Sequence, residues 1–293
     1  MGVASFLVGD ASPNTGYTTP VADAKNQLNA IVSQKIEVAP GLIVLRVVPD
    51  GWDLPTFSPG QFAVLGLSPE APRCDGSGIE EQTPRAGRLI RRAYSIASSS
   101  VSREHLEFYI NLVQSGSLTP RLFALQPGDR LWMGPKITGS FTLDQASPEH
   151  HLVLVATGTG LAPYMSMLRT MLPTTNGRRV AVLLGARHSW DLGYHAELST
   201  MERLCGDFLY VPTISRPHEE VVPWAGQTGY VMELWKKGVV VESWGRRPTP
   251  DDTSIFLCGS PAMIDDMCKL LVTQGFREHT RNYPGQIFVE RYW

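Results

Sequence analysis

The chain has 293 residues, of which 43% are hydrophobic and 18% are charged, and its formal net charge is −2. This length accommodates two domains, and the composition is that of a globular protein rather than a disordered or nucleic-acid-binding one. No apolar run approaches the ~20 residues of a membrane span, and residues 1–30 resemble neither a secretory signal nor a transit peptide, so we expect a cytoplasmic protein.

The first half of the chain predicts an antiparallel β-barrel after an N-terminal extension. Residues 1–30 are rich in Gly, Ser, Thr, Pro and Asn without a sustained period, which predicts a partly disordered segment. Short β-rich runs separated by Pro-Gly turns then indicate the barrel. The runs are Ile31–Val38, Leu42–Val48, Gln61–Leu67, Leu106–Val113 and Arg130–Gly134. The polar, irregular stretch Ser68–Leu89 is interpreted as an inserted surface loop.

The second half alternates strands and helices, which predicts a parallel α/β sheet covered by helices. The predicted strand and helix pairs are Leu152–Ala156 with Ala162–Leu172, Val180–Gly185 with His195–Leu204, and Ser254–Leu257 with Ala262–Thr273. We therefore divide the chain into an extension (1–30), a barrel domain (31–146) and an α/β domain (147–293).

The most specific motif is Arg92-Ala93-Tyr94-Ser95, which opens a predicted β segment after the insertion. It matches the Arg-x-Tyr-Ser flavin signature. A guanidinium can pair with a pyrophosphate, an aromatic ring can stack on an isoalloxazine, and a hydroxyl can approach the redox-active edge of that ring. The alternative is an ordinary strand whose Tyr and Arg side chains lie on the barrel surface.

A second motif, Gly116-Ser117-Leu118-Thr119-Pro120, follows the predicted strand Leu106–Val113. Its small residues can turn backbone amides toward a phosphate where a helix begins. A capped surface helix, with Thr119 as N-cap, is an equally plausible interpretation of this motif by itself.

The α/β half carries a glycine turn, Thr157-Gly158-Thr159-Gly160, between a buried strand and a helix. Such a turn lets the backbone approach a dinucleotide phosphate. Pro163 stands where the usual Gly-x-Gly-x-x-Gly fingerprint has its last glycine. The turn therefore indicates a dinucleotide site without the common fingerprint.

Two further segments carry candidate functional residues. Cys258-Gly259-Ser260 ends a predicted strand, where ligands of parallel sheets collect, so we expect Cys258 to face the cleft. A lone cysteine there is otherwise a small buried core residue. The chain ends in Glu290-Arg291-Tyr292-Trp293, whose aromatic rings either receive flat ligands or cap the core. The cysteines as a group, Cys74, Cys205, Cys258 and Cys268, show no iron–sulfur or metal-ligand spacing, so no metal site is predicted.

Together these motifs, in this order and spacing, resemble the ferredoxin–NADP reductase family, bacterial type, from about Ile31 to Trp293. The extension and the Ser68–Leu89 insertion depart from it. The resemblance implies FAD in the barrel domain, NADP(H) in the α/β domain, and Ser95, Cys258, Glu290 and Tyr292 in catalysis. The FAD-binding residues that it implies are Arg92, Ala93, Tyr94, Ser95, Ile110, Gly116, Ser117, Leu118, Thr119, Thr159, Tyr292 and Trp293. The NADP-binding residues that it implies are Gly158, Thr159, Gly160, Arg187, Ser215, Arg216, Cys258 and Gly259.

The implied activity is hydride transfer between the nicotinamide and the flavin, with one-electron steps to ferredoxin or flavodoxin, by a monomer or weak dimer. Arg187 and Arg216 favour NADP, whereas Tyr230 stands where bacterial relatives often carry another arginine. The basic residues Arg85, Arg88 and Arg91 form either a docking surface for an acidic carrier or a solvated loop. The alternatives are an NAD(P)H-dependent flavin reductase component of an oxygenase system and a non-catalytic nucleotide-binding module.

Overall fold

The computed structural model describes residues 28–81, 84–172, 175 and 177–291. Most of the predicted extension therefore lies outside the described residues. Two six-stranded sheets follow one another along the chain, the first antiparallel and the second parallel. This arrangement confirms the predicted fold class.

The first sheet has the strand order β4-β3-β6-β1-β2-β5. Its strands are β1 (Ala30–Ala39), β2 (Leu42–Pro49), β3 (Phe62–Leu67), β4 (Ile90–Ser95), β5 (Leu106–Asn111) and β6 (Arg130–Met133), and helix α1 is Thr119–Ala124. The edge strands β4 and β5 meet through an isolated bridge between Ile96 and Phe108 rather than a continuous ladder. The sheet is thus barrel-like without being fully closed.

The second sheet has the strand order β10-β9-β8-β7-β11-β12. Its strands are β7 (His151–Thr157), β8 (Val180–Ala186), β9 (Phe208–Ile214), β10 (Gln227–Thr228), β11 (Thr253–Cys258) and β12 (Ile287–Glu290). Its helices are α2 (Ala162–Met171), α3 (His195–Leu204), α4 (Val231–Lys237), α5 (Val239–Trp244) and α6 (Pro261–Thr273). Strand β9 and helices α4 and α5 were not predicted. Within the described part of the chain, no helix is long and apolar enough to span a bilayer.

Strand β7 shows why the strands of the second sheet are continuous apolar runs in the sequence. Leu152 and Leu154 belong to the core on one face of the sheet, whereas Val153 and Val155 belong to the core on the other. Because successive side chains of a strand point to opposite faces, a sheet covered on both sides needs apolar residues at every position. The carboxyl ends of these strands lie at one edge of the sheet, facing the barrel.

A buried ion-pair network joins the two sheets. Glu107 of β5 accepts hydrogen bonds from Arg46 of β2 (2.7 Å), from Arg169 of α2 (2.6 Å) and from the Tyr194 hydroxyl (2.8 Å). Arg169 also pairs with Glu197 of α3 at 2.7 Å. Glu107 comes from the first sheet and Arg169 from helix α2, which packs on the second sheet, so the network holds the two halves of the chain together. The predicted domain boundary at residue 147 stays a prediction.

Candidate functional site

The glycine turn after β7 packs against the end of β11. Gly158 has a φ of +53°, and a Cβ placed there would meet nothing within 4 Å. A Cβ on Gly160 would collide with the carbonyl oxygen of Cys258. The Ser260 amide donates a hydrogen bond to Thr157 Oγ1 at 2.7 Å. The two strand ends are therefore held together, and glycine is required at 160 for the close approach of the backbones.

A cavity of about 740 Å³ opens above these strand ends. Nearly all of the predicted NADP residues line it, namely Gly158, Thr159, Gly160, Arg187, Ser215, Arg216 and Gly259. The wall also includes Tyr230, whose side chain is 74% exposed, and Asp191. The predicted residues of the α/β half are thus brought together from β7, β8, β9 and β11, with one exception.

The exception is Cys258, which was expected to face the cleft. Its side chain is 0% exposed and belongs to the hydrophobic core, so the expectation that it faces the cleft stays a prediction. The backbone of Cys258 lies against Gly160. Cys258 pairs in register with Glu290 of β12, and Glu290 does reach a cavity wall.

Two arginines lie side by side at the ends of β8 and β9. The Arg216 amide donates to the Arg187 carbonyl at 3.0 Å, and both side chains are exposed. Glu219 accepts from an Arg216 guanidinium nitrogen at 3.5 Å and lies 2.7 Å from His188 Nε2. The hydrogen bond to Glu219 raises the pKa of His188, against the lowering effect of partial burial. The carboxylate of Glu219 therefore offsets part of the positive charge at this end of the cavity.

A second cavity, of about 920 Å³, lies between the sheets. Every predicted FAD residue within the described part of the chain lines it, namely Arg92, Ala93, Tyr94, Ser95, Ile110, Gly116, Ser117, Leu118, Thr119 and Thr159. Glu290 lines it as well. Tyr292 and Trp293 lie outside the described residues.

The Arg-x-Tyr-Ser motif occupies β4 itself and ends that strand, which corrects the expectation that it opens a β segment. Arg92 in the middle of the strand is exposed, whereas Ser95 at its end is 8% exposed. Tyr94 packs edge-on against Phe108, with 6.5 Å between ring centroids. Burial raises the pKa of Tyr94 well above its ordinary value, against a smaller lowering effect of Arg92. The phenol is therefore neutral and available for stacking and hydrogen bonding.

The turn before α1 is closed by a threonine hydroxyl. Thr119 Oγ1 donates to the Val113 carbonyl at 3.1 Å and accepts from the Val113 amide at 3.0 Å. The alternative in which Thr119 is the helix N-cap is wrong, since Leu118 occupies that position without a side-chain cap. The hydroxyl instead fixes the loop that carries Gly116 and Ser117 along the cavity wall.

The two cavities share Thr159 and Asn111 in their walls. Asn111, the last residue of β5, was missed, although a polar residue ending an apolar strand was a visible signal. Glu81 of the insertion also lines the second cavity and was missed. A ligand in one cavity can thus reach a ligand in the other across a shared wall.

Comparison with known proteins identifies the family of this architecture. The model of the oxidoreductase NAD-binding domain matches residues 154–269. The ferredoxin–NADP reductase of Azotobacter vinelandii is 32% identical over 247 residues, covering 80% of this chain and 86% of that protein. The flavodoxin/ferredoxin–NADP reductase of Escherichia coli K12 is 29% identical, covering 81% of this chain and 88% of that protein.

A solved structure has the same fold over nearly its whole length. The ferredoxin NADP+ reductase from Neisseria gonorrhoeae with bound FAD and NADP matches with a TM-score of 0.74 at 23% identity, covering 91% of this chain and 99% of that one. The sequence relatives and the two-sheet architecture agree. The chain belongs to the ferredoxin–NADP reductase family of FAD- and NAD(P)-dependent oxidoreductases.

Proposed function

We propose that this chain transfers electrons between NADP(H) and a small one-electron carrier, ferredoxin or flavodoxin. The observation that carries the proposal is the pair of cavities that share Thr159 and Asn111, one between the sheets and one at the carboxyl edge of the parallel sheet. The printed names of the relatives, which include both carriers, support the choice of partner.

The second cavity has the chemistry that FAD requires. The Arg92 guanidinium would pair with the pyrophosphate, the Tyr94 ring would stack on the isoalloxazine, and the Ser95 hydroxyl would lie at its redox-active edge. When bound, FAD supplies the exchange between two-electron nicotinamide chemistry and one-electron carrier chemistry. The rest of the FAD wall is assigned to Ala93, Ile110, Gly116, Ser117, Leu118, Thr119 and Thr159, with Tyr292 and Trp293 as aromatic cover.

The first cavity has the chemistry that NADP requires. The left-handed Gly158 presents no side chain to the cavity, so a phosphate can approach the backbone of residues 158–160. Arg187 and Arg216 would bind the 2′-phosphate, and Ser215 and Gly259 complete the wall. The Glu290 carboxylate, which lines the second cavity, would hold a proton near the nicotinamide. We assign Cys258 to the buried floor of the nicotinamide pocket.

The outer face of β4 and the adjoining insertion supply a surface for an acidic carrier. Arg85, Arg88 and Arg91 are exposed, as is Arg92 in the cavity wall. The Arg91 guanidinium lies over the Trp132 ring at 3.9 Å, which holds its charge at the surface. A cluster of positive charge beside a redox site attracts an acidic partner and speeds its association with the protein.

Carrier reduction tests the proposal. The purified full chain, supplied with FAD and NADPH, should reduce ferredoxin or flavodoxin, and the rate should fall as salt screens the attraction. Arg88→Gln should lower the carrier on-rate and leave reduction of a small neutral quinone nearly unchanged. Arg203→Gln, an exposed substitution on α3, is the matched control. Failure to reduce either carrier while the neutral quinone is reduced would overturn the choice of partner.

A second candidate function is an NADH-dependent reductase component of an oxygenase. Glu219 beside Arg216, and Tyr230 in the cavity wall, favour it because they weaken the attraction for a 2′-phosphate. Comparing kcat/KM for NADPH and NADH discriminates the two functions. A ratio favouring NADH would support the oxygenase component.

A further inference from the structure

The insertion Ser68–Leu89 is fastened onto the turn that lines the FAD cavity. Backbone amides of the insertion donate to carbonyls of segment 114–120, from Cys74 to Pro120 (2.9 Å), from Gly78 to Gln114 (3.0 Å) and from Glu81 to Ser115 (3.2 Å). These bonds span more than thirty residues of sequence. The predicted surface loop is thus bound to the cavity wall along much of its described length.

A charge cluster secures this attachment. The Arg121 side chain, 5% exposed, donates to Glu80 of the insertion at 2.5 Å, to the Ser117 carbonyl at 2.6 Å and to the Pro69 carbonyl at 2.6 Å. Arg73 lies 3.2 Å from the same Glu80 and donates to the Gln114 carbonyl at 2.8 Å. Each arginine therefore contacts both the insertion and the turn. Because Arg121 is buried, loss of Glu80 leaves a buried positive charge without its carboxylate partner.

The attachment places one carboxylate of the insertion in the cavity itself. Glu81 lines the FAD cavity beside Gly116 and Ser117. One of its oxygens accepts a hydrogen bond from the Ser115 hydroxyl at 2.8 Å. An ionised carboxylate only accepts hydrogen bonds, so it suits the hydroxyl groups of a ligand and opposes its phosphates. Carboxylates recognise the ribose hydroxyls of dinucleotides in this way.

We propose that the insertion acts as a clasp, meaning that its bonds to segment 114–120 hold that part of the FAD cavity wall in place. We also propose that Glu81 accepts hydrogen bonds from sugar hydroxyls of the flavin nucleotide. This inference rests on the FAD site proposed above. FAD offers two sources of such hydroxyls, the ribityl chain that it shares with FMN and the ribose of its adenosine. The clasp also fixes the turn of Gly116 and Ser117, so its release should loosen the whole nucleotide.

Flavin binding to the full chain, depleted of flavin and titrated with FAD or FMN by fluorescence, tests the inference. Glu81→Gln should raise the Kd for FAD roughly ten- to a hundred-fold, the range expected for a hydrogen bond to a charged group. A higher Kd for FAD alone assigns Glu81 to the adenosine ribose. A higher Kd for both FAD and FMN assigns it to the ribityl chain. Glu70→Gln, an exposed substitution in the same insertion and outside the cavity wall, is the matched control.

The release rate of FAD tests the clasp separately. Glu80→Gln should accelerate release of FAD, measured by chasing the holoprotein with excess FMN, whereas Glu70→Gln should not. An unchanged or lower FAD Kd in Glu81→Gln would overturn the role of Glu81, even if Glu80→Gln were too unstable to assay. A wild-type chain that binds neither flavin would instead overturn the FAD site, which separates the two failures.

Discussion

Replacement of Glu107 by glutamine removes the central charge of the network between the sheets. The Glu107 side chain is 2% exposed and pairs with Arg46 and Arg169. Desolvation acts to raise the pKa of Glu107. The Arg169 charge and hydrogen bonds from Arg169, Arg46 and Tyr194 outweigh it, so that the pKa is lowered. The carboxylate is therefore ionised in the folded protein, and its charge is matched by its partners.

The expected loss of stability depends on which interactions Arg169 and Arg46 keep in the Glu107→Gln variant. Removing one member of a buried ion pair costs about 3–5 kcal/mol, because the other charge stays buried. Arg169 keeps Glu197 at 2.7 Å, and Arg46 is 37% exposed and can be solvated. We therefore expect Glu107→Gln to lower the free energy of unfolding by about 3 kcal/mol, the lower end of that range. Asp50→Asn, in the exposed Arg130–Asp50 pair, should cost less than about 1 kcal/mol.

Urea unfolding of the full chain, followed by tryptophan fluorescence and circular dichroism, measures both variants. Since the pKa of Glu107 is lowered on folding, its contribution is present above the unfolded pKa of about 4.3 and is lost as pH falls through the folded value. The gap between wild type and Glu107→Gln should therefore shrink on acidification below about pH 4.3. If Glu107→Gln lost no more unfolding free energy than Asp50→Asn at neutral pH, the Glu107 network would not stabilise the fold.

Three further predictions concern the NADP cavity. Gly160→Ala should lower the free energy of unfolding by about 3 kcal/mol, because the added Cβ collides with backbone atoms. Gly158→Ala should lower it by only about 1 kcal/mol, because alanine is disfavoured at a left-handed φ. Urea unfolding measures both variants. Arg216→Gln should raise the Kd for NADPH roughly ten-fold and leave that for NADH nearly unchanged, by calorimetric titration. Glu219→Gln should lower the Kd for NADPH roughly two- to five-fold, also by calorimetry.

Each of these has an outcome that contradicts it. Equal costs for the two glycine variants would show that the contact at Gly160 is readily relaxed. A parallel loss of NADPH and NADH binding in Arg216→Gln would place that residue away from the 2′-phosphate. Weaker NADPH binding in Glu219→Gln would mean that Glu219 positions Arg216 rather than competing for it. Lys236→Gln, an exposed substitution on α4, is the control for both charge variants.

Local patterns predicted the fold where they were unambiguous. The apolar runs of β7 and β8 are continuous because both faces of the sheet are covered, and both strands were predicted. Strand β9 was missed because Pro212 interrupts it and Thr213 follows. Helices α4 and α5 were missed because Gly238, with a φ of +77°, divides them into two short pieces. No window of periodicity was long enough to identify either helix.

The site was predictable where a motif fixed both residue type and position. The Arg-x-Tyr-Ser and glycine-turn residues all line the cavities. The orientation of Cys258 was not predictable, because every residue of β11 is buried and no alternation marks which face it occupies. The placement of Glu81 depends on contacts with Ser115, far along the chain, which a local pattern does not encode.

An anaerobic absorption titration of the purified protein shows whether FAD in this chain exchanges electrons with NADP(H). Separate additions of NADPH and NADH would be followed through the flavin bands. We expect a flavin spectrum that NADPH bleaches far more effectively than NADH. A protein reconstituted with FAD that shows no flavin spectrum, or whose flavin bands neither coenzyme bleaches, would contradict this expectation.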